Sequence, residues 1–199
     1  MTLTKFREIL ADDTISTTQF LHVHCCVEEL FRRLLLIGLR LQDVPSKDAA
    51  AISESYYTNR RENHFKTIVG FCGLDHSKLM KFGSFNTLWA LYLDFTTRHR
   101  NRLMHGVALS YSDEELLKTL IHVDKSLIRE FEAFLKHENK PSFLDEPRKW
   151  NAKRVTEKAD VNEICKTLLH GNMPKPPVYT KTKAAAMMKK IHKETKTGG

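Results

Sequence analysis

Between Phe20 and Leu41 the apolar residues Phe20, Val23, Val27, Leu30, Leu34, Ile37 and Leu41 recur at steps of three and four. Only an α-helix keeps such a series on one face. A stripe this long cannot be satisfied by its own helix; it needs other helices to cover it, or a second copy of the chain. Ser16, followed three residues later by Gln19, reads as a capping box that starts the helix, and Val44-Pro45-Ser46 ends it near Gln42. Glu28–Arg32 and Glu29–Arg33 are four apart and read as ion pairs on the outer face, with a glutamate near a functional cleft as the alternative.

The remaining segments repeat the helical period. Leu3, Phe6, Ile9 and Leu10 form a short amphipathic helix that Asp12-Asp13-Thr14 breaks. Residues 48–58 are ambiguous, because Ala49-Ala50-Ala51 favours helix and Tyr56-Tyr57 does not. A helix over roughly 59–72 turns Phe65, Ile68, Val69 and Cys72 inward and stops at Gly73; a short one over 75–82 is closed by Gly83. Ser84 caps a helix whose Phe85, Leu88, Trp89, Tyr92 and Phe95 read as core. Ser112 and Glu115 form a capping box for a last core helix reaching about Glu138, with Leu116, Leu120, Val123, Leu127, Phe131 and Phe134 inward. No strand pattern competes. The expected fold is all-α: an antiparallel bundle of four to five helices over residues 1–138, with a basic, partly helical C-terminal extension over 139–199.

Charge draws that boundary. Residues 1–138 hold 18 Lys+Arg and 18 Asp+Glu, whereas 139–199 hold 14 and 6, so the whole net charge of +8 lies in the extension. In the extension Val161, Ile164, Cys165, Leu168 and Leu169 mark a short helix, Pro174-Lys175-Pro176-Pro177 a stiff linker, and 182–193 a basic segment with Met187, Met188 and Ile191 as its apolar patch. RNA, an acidic protein or an anionic membrane surface suits such a segment; a solubilising disordered end is the alternative. No apolar run is long enough to span a bilayer, and Met1-Thr2-Leu3-Thr4-Lys5-Phe6 lacks a secretory core, so the chain is expected to be cytoplasmic. Cys25, Cys26, Cys72 and Cys165 form no Cys-X-X-Cys and read as reduced core thiols. His22, His24, Cys25 and Cys26 crowd one helix without a second ligand pair, so neither a metal nor another cofactor is expected.

Chemistry concentrates in Thr97-Arg98-His99-Arg100-Asn101-Arg102-Leu103-Met104-His105-Gly106, at the end of the aromatic helix. Guanidinium offers planar donors that fit a phosphate, and imidazole moves protons near neutrality. Asp94, Arg98, Asn101 and His105 form one polar stripe with Arg100 beside it, and on an ideal helix Arg100 and His105 stand roughly 140° apart. Gly106 can end the helix, which leaves His105 in its last turn, where the dipole favours imidazolium. Twelve arginines and ten histidines in 199 residues give roughly 0.6 chance pairs at any one spacing, so the weight lies in the neighbours: Asn101, Gly106 and the aromatic helix. The alternative is a solvated basic helix end paired to acids elsewhere.

The run Arg100-Asn101-Arg102-Leu103-Met104-His105, on an expected small all-α bundle, resembles the HEPN superfamily, the higher-eukaryote and prokaryote nucleotide-binding domain, whose motif is Arg, four to six residues, then His. The resemblance covers about residues 16–138. It implies a metal-independent endoribonuclease, commonly a homodimer that brings two motifs into one cleft, often a toxin with an antitoxin or other regulatory protein, or an effector of antiviral defence. It implies Arg100, Asn101 and His105 as catalytic residues, with Arg98, His99 and Arg102 on the RNA. Arg98 to His105 also fits the spacing; Asn101 directly after Arg100 favours Arg100. The branch paired with nucleotidyltransferase antitoxins carries Tyr two residues after the His, where this chain has Val107. Two other readings stay open: a non-catalytic RNA- or protein-binding module of the same kind, and a helical adaptor whose basic extension does the work.

Overall fold

In the computed structural model, residues 1–55, 62–105, 114–152 and 160–169 are described, with backbone alone at 62–64, 165 and 167–169. The described residues are helical and contain no strand. In chain order the helices are α1 Leu3–Ala11, α2 Thr17–Leu41, α3 Ser46–Ser55, α4 Glu62–Phe71, α5 His76–Lys81, α6 Phe85–Leu91, α7 Thr97–Met104, α8 Glu114–His137 and α9 Val161–Leu169. A π turn, Tyr92–Thr96, joins α6 to α7, and a 3-10 turn spans Pro147–Trp150.

The apolar stripe of α2 becomes the axis of the molecule, with α1, α3, α4 and α8 packed around it. Phe20, Val23, Val27, Leu30, Leu34 and Ile37 are buried, and Leu41, at the helix end, is half-buried. Each such side chain contributes about 1.5–3 kcal/mol over leaving it in water. α2 and α4 come very close: a Cβ on Gly38 would lie 2.7 Å from Cβ of Phe71. Only glycine allows that approach. Gly73 and Gly83 take left-handed φ of +66° and +47°, which suits the helix stops expected there.

Local chemistry sets the helix ends. Ser16 Oγ accepts the Gln19 N–H at 3.0 Å. The Gln19 amide does not complete a capping box; it donates to the carbonyls of Ile9 (2.7 Å) and Asp12 (2.9 Å) and so ties α1 to α2. Ser84 makes no side-chain cap bond, whereas Asp75 Oδ1 takes the N–H groups of Ser77 and Lys78 to start α5. The ambiguous 48–58 stretch is helical as far as Ser55. Ser112 of the Ser112–Glu115 box, Gly106, Val107 and the 170–199 part of the extension lie outside the described residues.

Packing continues past residue 138. Phe143 and Trp150 sit in the core, and Arg33 donates to the carbonyls of Phe143 (3.1 Å) and Leu144 (2.9 Å). Val161 and Ile164 of α9 rest against the same core. Cys26 and Cys72 are buried free thiols, but Cys25 is exposed, because its place on α2 faces away from the stripe. No helix among the described residues is long and apolar enough to cross a membrane.

Candidate functional site

The buried line of α6 runs through Phe85, Trp89 and Tyr92 to Thr96. Its aromatics are core, not a base-stacking platform: Phe65 stacks on Trp89 at 4.3 Å, and Phe31 meets Trp89 and Tyr92 at 5.5 and 5.6 Å. At Tyr92 the helix widens. The Tyr92 carbonyl accepts the Thr97 N–H, five residues on, as well as the hydroxyls of Thr96 (3.2 Å) and Thr97 (2.7 Å). A π turn is underwound, so steps of four stay on one face. Tyr92, Thr96 and Arg100 follow one another at that step, and Arg100 is brought round toward α2.

There it meets Glu28. Arg100 Nη2 lies 3.3 Å from Glu28 Oε1, and Arg100 Nη1 donates to Asn101 Oδ1 at 2.9 Å. The four-residue spacing predicts a pair between Glu28 and Arg32 on the outer face. Instead the Glu28 side chain is 7% exposed and faces α7, while Arg32 and Arg33 both turn to Glu29. The reason is rotational: Glu28 lies beside the α2 stripe, close enough for the core helices to enclose it. Behind Glu28 stands His24, fully buried, with Nδ1 2.8 Å from Oδ2 of the equally buried Asp124 of α8. Neither His24 nor Asp124 stands out in the sequence as part of the site. Their only signal is that polar residues occupy positions next to the apolar stripes.

Asn101 links the two ends of the motif. Its side chain holds Arg100, and its backbone carbonyl accepts the His105 N–H at 3.0 Å. His105 caps α7 and is exposed. Arg98 turns the other way and pairs with Asp94, both exposed. His99 folds back on its own helix, Nδ1–H donating to the Phe95 carbonyl at 2.9 Å with its ring edge-on to Phe95. Arg102 is exposed. The structure therefore brings Arg100 and Asn101 together over Glu28, keeps His105 in the next turn, and sets Arg98 and Arg102 on the solvent side. Asp94, Arg98, Asn101 and His105 of the expected polar stripe are all exposed, and within it Asp94 pairs with Arg98.

What this arrangement can do is hold an anion. One edge of the Arg100 guanidinium is fixed from below by a buried carboxylate, and an exposed imidazole lies one helical turn along. Among the described residues, no three or more His, Cys, Asp or Glu side chains converge as a metal-ligand set; His24, from the crowded His22–Cys26 run, is engaged with Asp124. Comparison of the chain with protein-family models, with curated proteins and with solved structures finds no match.

Proposed function

We propose that the chain is a HEPN-type, metal-independent endoribonuclease that cleaves RNA through its own 2′-hydroxyl, works as a homodimer, and serves as a toxin or an effector of antiviral defence. The observation that supports it most is the seating of Arg100. A guanidinium anchored on buried Glu28 and steadied by Asn101 is oriented before any substrate arrives, which is what transition-state charge stabilisation needs.

In this reading the ribose 2′-oxygen loses its proton and attacks the adjacent phosphorus, and the bond to the 5′-oxygen breaks. His105 transfers the proton at the 2′- or the 5′-oxygen, and solvent water exchanges the proton at the other. Arg100 binds the phosphate as negative charge builds on it. Asn101 keeps Arg100 and the His105 backbone in register. Arg98, His99 and Arg102 supply contacts to the RNA backbone. The products are a 2′,3′-cyclic phosphate and a 5′-hydroxyl end. Incubation with RNA in excess EDTA is the test. Cleavage by the wild type, lost in His105→Ala and Arg100→Ala, supports the enzyme; absence of cleavage, or equal cleavage by His105→Ala, rejects it.

A second reading rests on a specific feature: both terminal nitrogens of Arg100 already hold protein partners. A clamp that is satisfied in this way suits a non-catalytic module that binds RNA or protein. It predicts RNA binding that survives His105→Ala without cleavage in either protein.

A further inference from the structure

His24 sits at the centre of a buried polar string and has no step of its own in the proposed chemistry. Its ring stacks on Tyr92 at 5.3 Å, with Phe20 tilted against it at 5.9 Å. Nδ1 bonds Asp124 on one side, and Nε2 faces Glu28 Oε1 at 3.8 Å on the other. That same Glu28 oxygen is the one 3.3 Å from Arg100. One carboxylate oxygen is thus shared between an imidazole behind it and a guanidinium in front.

Charge counting shows what a proton on His24 changes. With a neutral imidazole, the string of Asp124, His24, Glu28 and Arg100 carries one net negative charge; with an imidazolium the sum is zero. Net buried charge is costly. When Nδ1–H is donated to Asp124, a neutral ring turns the lone pair of Nε2 toward a carboxylate oxygen, acceptor against acceptor. Nε2 of His24 and Oδ1 of Asp124 are in fact buried without a hydrogen-bond partner. A proton on Nε2 converts the opposed acceptors into an ion pair.

We propose that His24 is a proton-operated control on Arg100. With Nε2 protonated, Glu28 divides its charge between two cations and Arg100 turns its donors to a phosphate. With Nε2 bare, Glu28 commits to Arg100 and a phosphate is held less firmly. The proposal rests on the reading of Arg100 as the phosphate ligand. The groups facing His24 are Glu28 on its own helix, Asp124 from α8, the Tyr92 ring from the π turn and, through Glu28, Arg100 from α7. Cys26, also on α2, feels Asp124, but burial pushes its thiol up to about 12, so it stays protonated alongside. Lys125, next to Asp124, points away to Asp13 and the Asp12 carbonyl.

The test follows the guanidinium signals of Arg100 and the imidazole signals of His24 by NMR in the full chain, over about pH 5–8. Alongside, binding of a DNA oligonucleotide is measured, since DNA lacks the 2′-hydroxyl and is not cut by the proposed chemistry. The expected result is one shared midpoint for the two residues, with affinity rising about three- to tenfold on acidification. His24→Gln loses that part of the pH dependence and keeps the rest. Arg100 signals that stay flat through the His24 transition, a His24 without a transition, or an unchanged pH profile in His24→Gln overturns the proposal. If His24→Gln does not fold, the wild-type midpoints alone decide. Failure to bind the oligonucleotide at every pH removes Arg100 as a phosphate ligand and overturns the control with it. Coupled titration and binding without RNA cleavage overturns the ribonuclease reading and leaves the control standing.

Discussion

Arg100 Nη2 and Glu28 Oε1 approach to 3.3 Å from α7 and α2, and only the arginine end of the pair meets solvent, at 30% side-chain exposure against 7%. Removing Arg100 takes a cation away from a carboxylate that water barely reaches. Arg98 and Asp94 form the same type of pair at 60% and 75% exposure, where water replaces either partner. Arg100→Ala is therefore expected to cost about 1–3 kcal/mol, below the full value for a wholly buried pair because of its partial exposure. Arg98→Ala should cost no more than about 0.5–1 kcal/mol. Urea unfolding of the two variants checks this, and equal losses would contradict the placement of Arg100. In an RNA-cleavage assay Arg98→Ala should lose activity only as far as one backbone contact is lost, about two- to tenfold, and Arg100→Ala at least about a hundredfold. Loss of cleavage in Arg98→Ala with cleavage kept in Arg100→Ala would mean that the spacing from Arg98 to His105 is the one that counts.

Gly38 offers a test of the α2–α4 contact. A β-carbon added there would approach Phe71 Cβ to 2.7 Å, and no side-chain rotation relieves that, because both atoms are fixed to helical backbone. Gly38→Ala improves intrinsic helix propensity by about 1 kcal/mol. Overpacking of about 1–3 kcal/mol opposes it. The expected net result is a lower Tm, whereas Gly70→Ala, with open space around its Cβ, should raise Tm.

Much of the fold is readable from periodicity. The α2 stripe, α1 and α8 follow from apolar steps of three and four, since a face that must be buried announces itself in the spacing. The site is only half legible. Arg100, Asn101 and His105 stand out as residue types in a run, but ideal-helix geometry places Arg100 beside a polar stripe, and the π turn at Tyr92–Thr96 changes the winding just before it. No spacing rule signals one widened turn. The i,i+4 rule offers Glu28 to Arg32, yet Glu28 goes to Arg100, because local spacing says nothing of which helix will later cover a residue. His24 and Asp124 meet only through the packing of α2 on α8, a contact across a hundred residues of chain.

Thiol chemistry follows burial. Cys72 is enclosed and donates to the Leu34 carbonyl at 3.2 Å; burial pushes its thiol up to about 12, as it does for Cys26. The thiolate is the nucleophile, so neither is expected to react at about pH 8, whereas Cys25 is exposed to the reagent. Iodoacetamide followed by peptide mass spectrometry should label Cys25 and spare Cys26 and Cys72. Labelling of Cys72 in the native protein would contradict the packing of α4 on α2.

Glu132 gives a pH dependence of the less common sign. Burial raises its carboxyl above the ordinary value of 4.5, against hydrogen bonds from Ser142 and the Phe143 backbone that lower it. Ser142 Oγ–H donates to Oε1 at 2.7 Å. An acid with a raised native pKa holds its proton to higher pH when folded than when unfolded. The unfolded chain therefore ionises first, and stability falls as pH rises from the unfolded value through the folded one. The penalty is complete at neutral pH and absent below the ordinary carboxylate range. Glu132→Gln keeps an acceptor for Ser142 and removes the ionisation. It is expected to unfold at higher urea than the wild type at neutral pH, with the gap closing as the pH is lowered toward about 4. A gap that is constant with pH, or of opposite sign at neutrality, would show that the carboxylate of Glu132 is stabilised by its hydrogen bonds more than burial disfavours it.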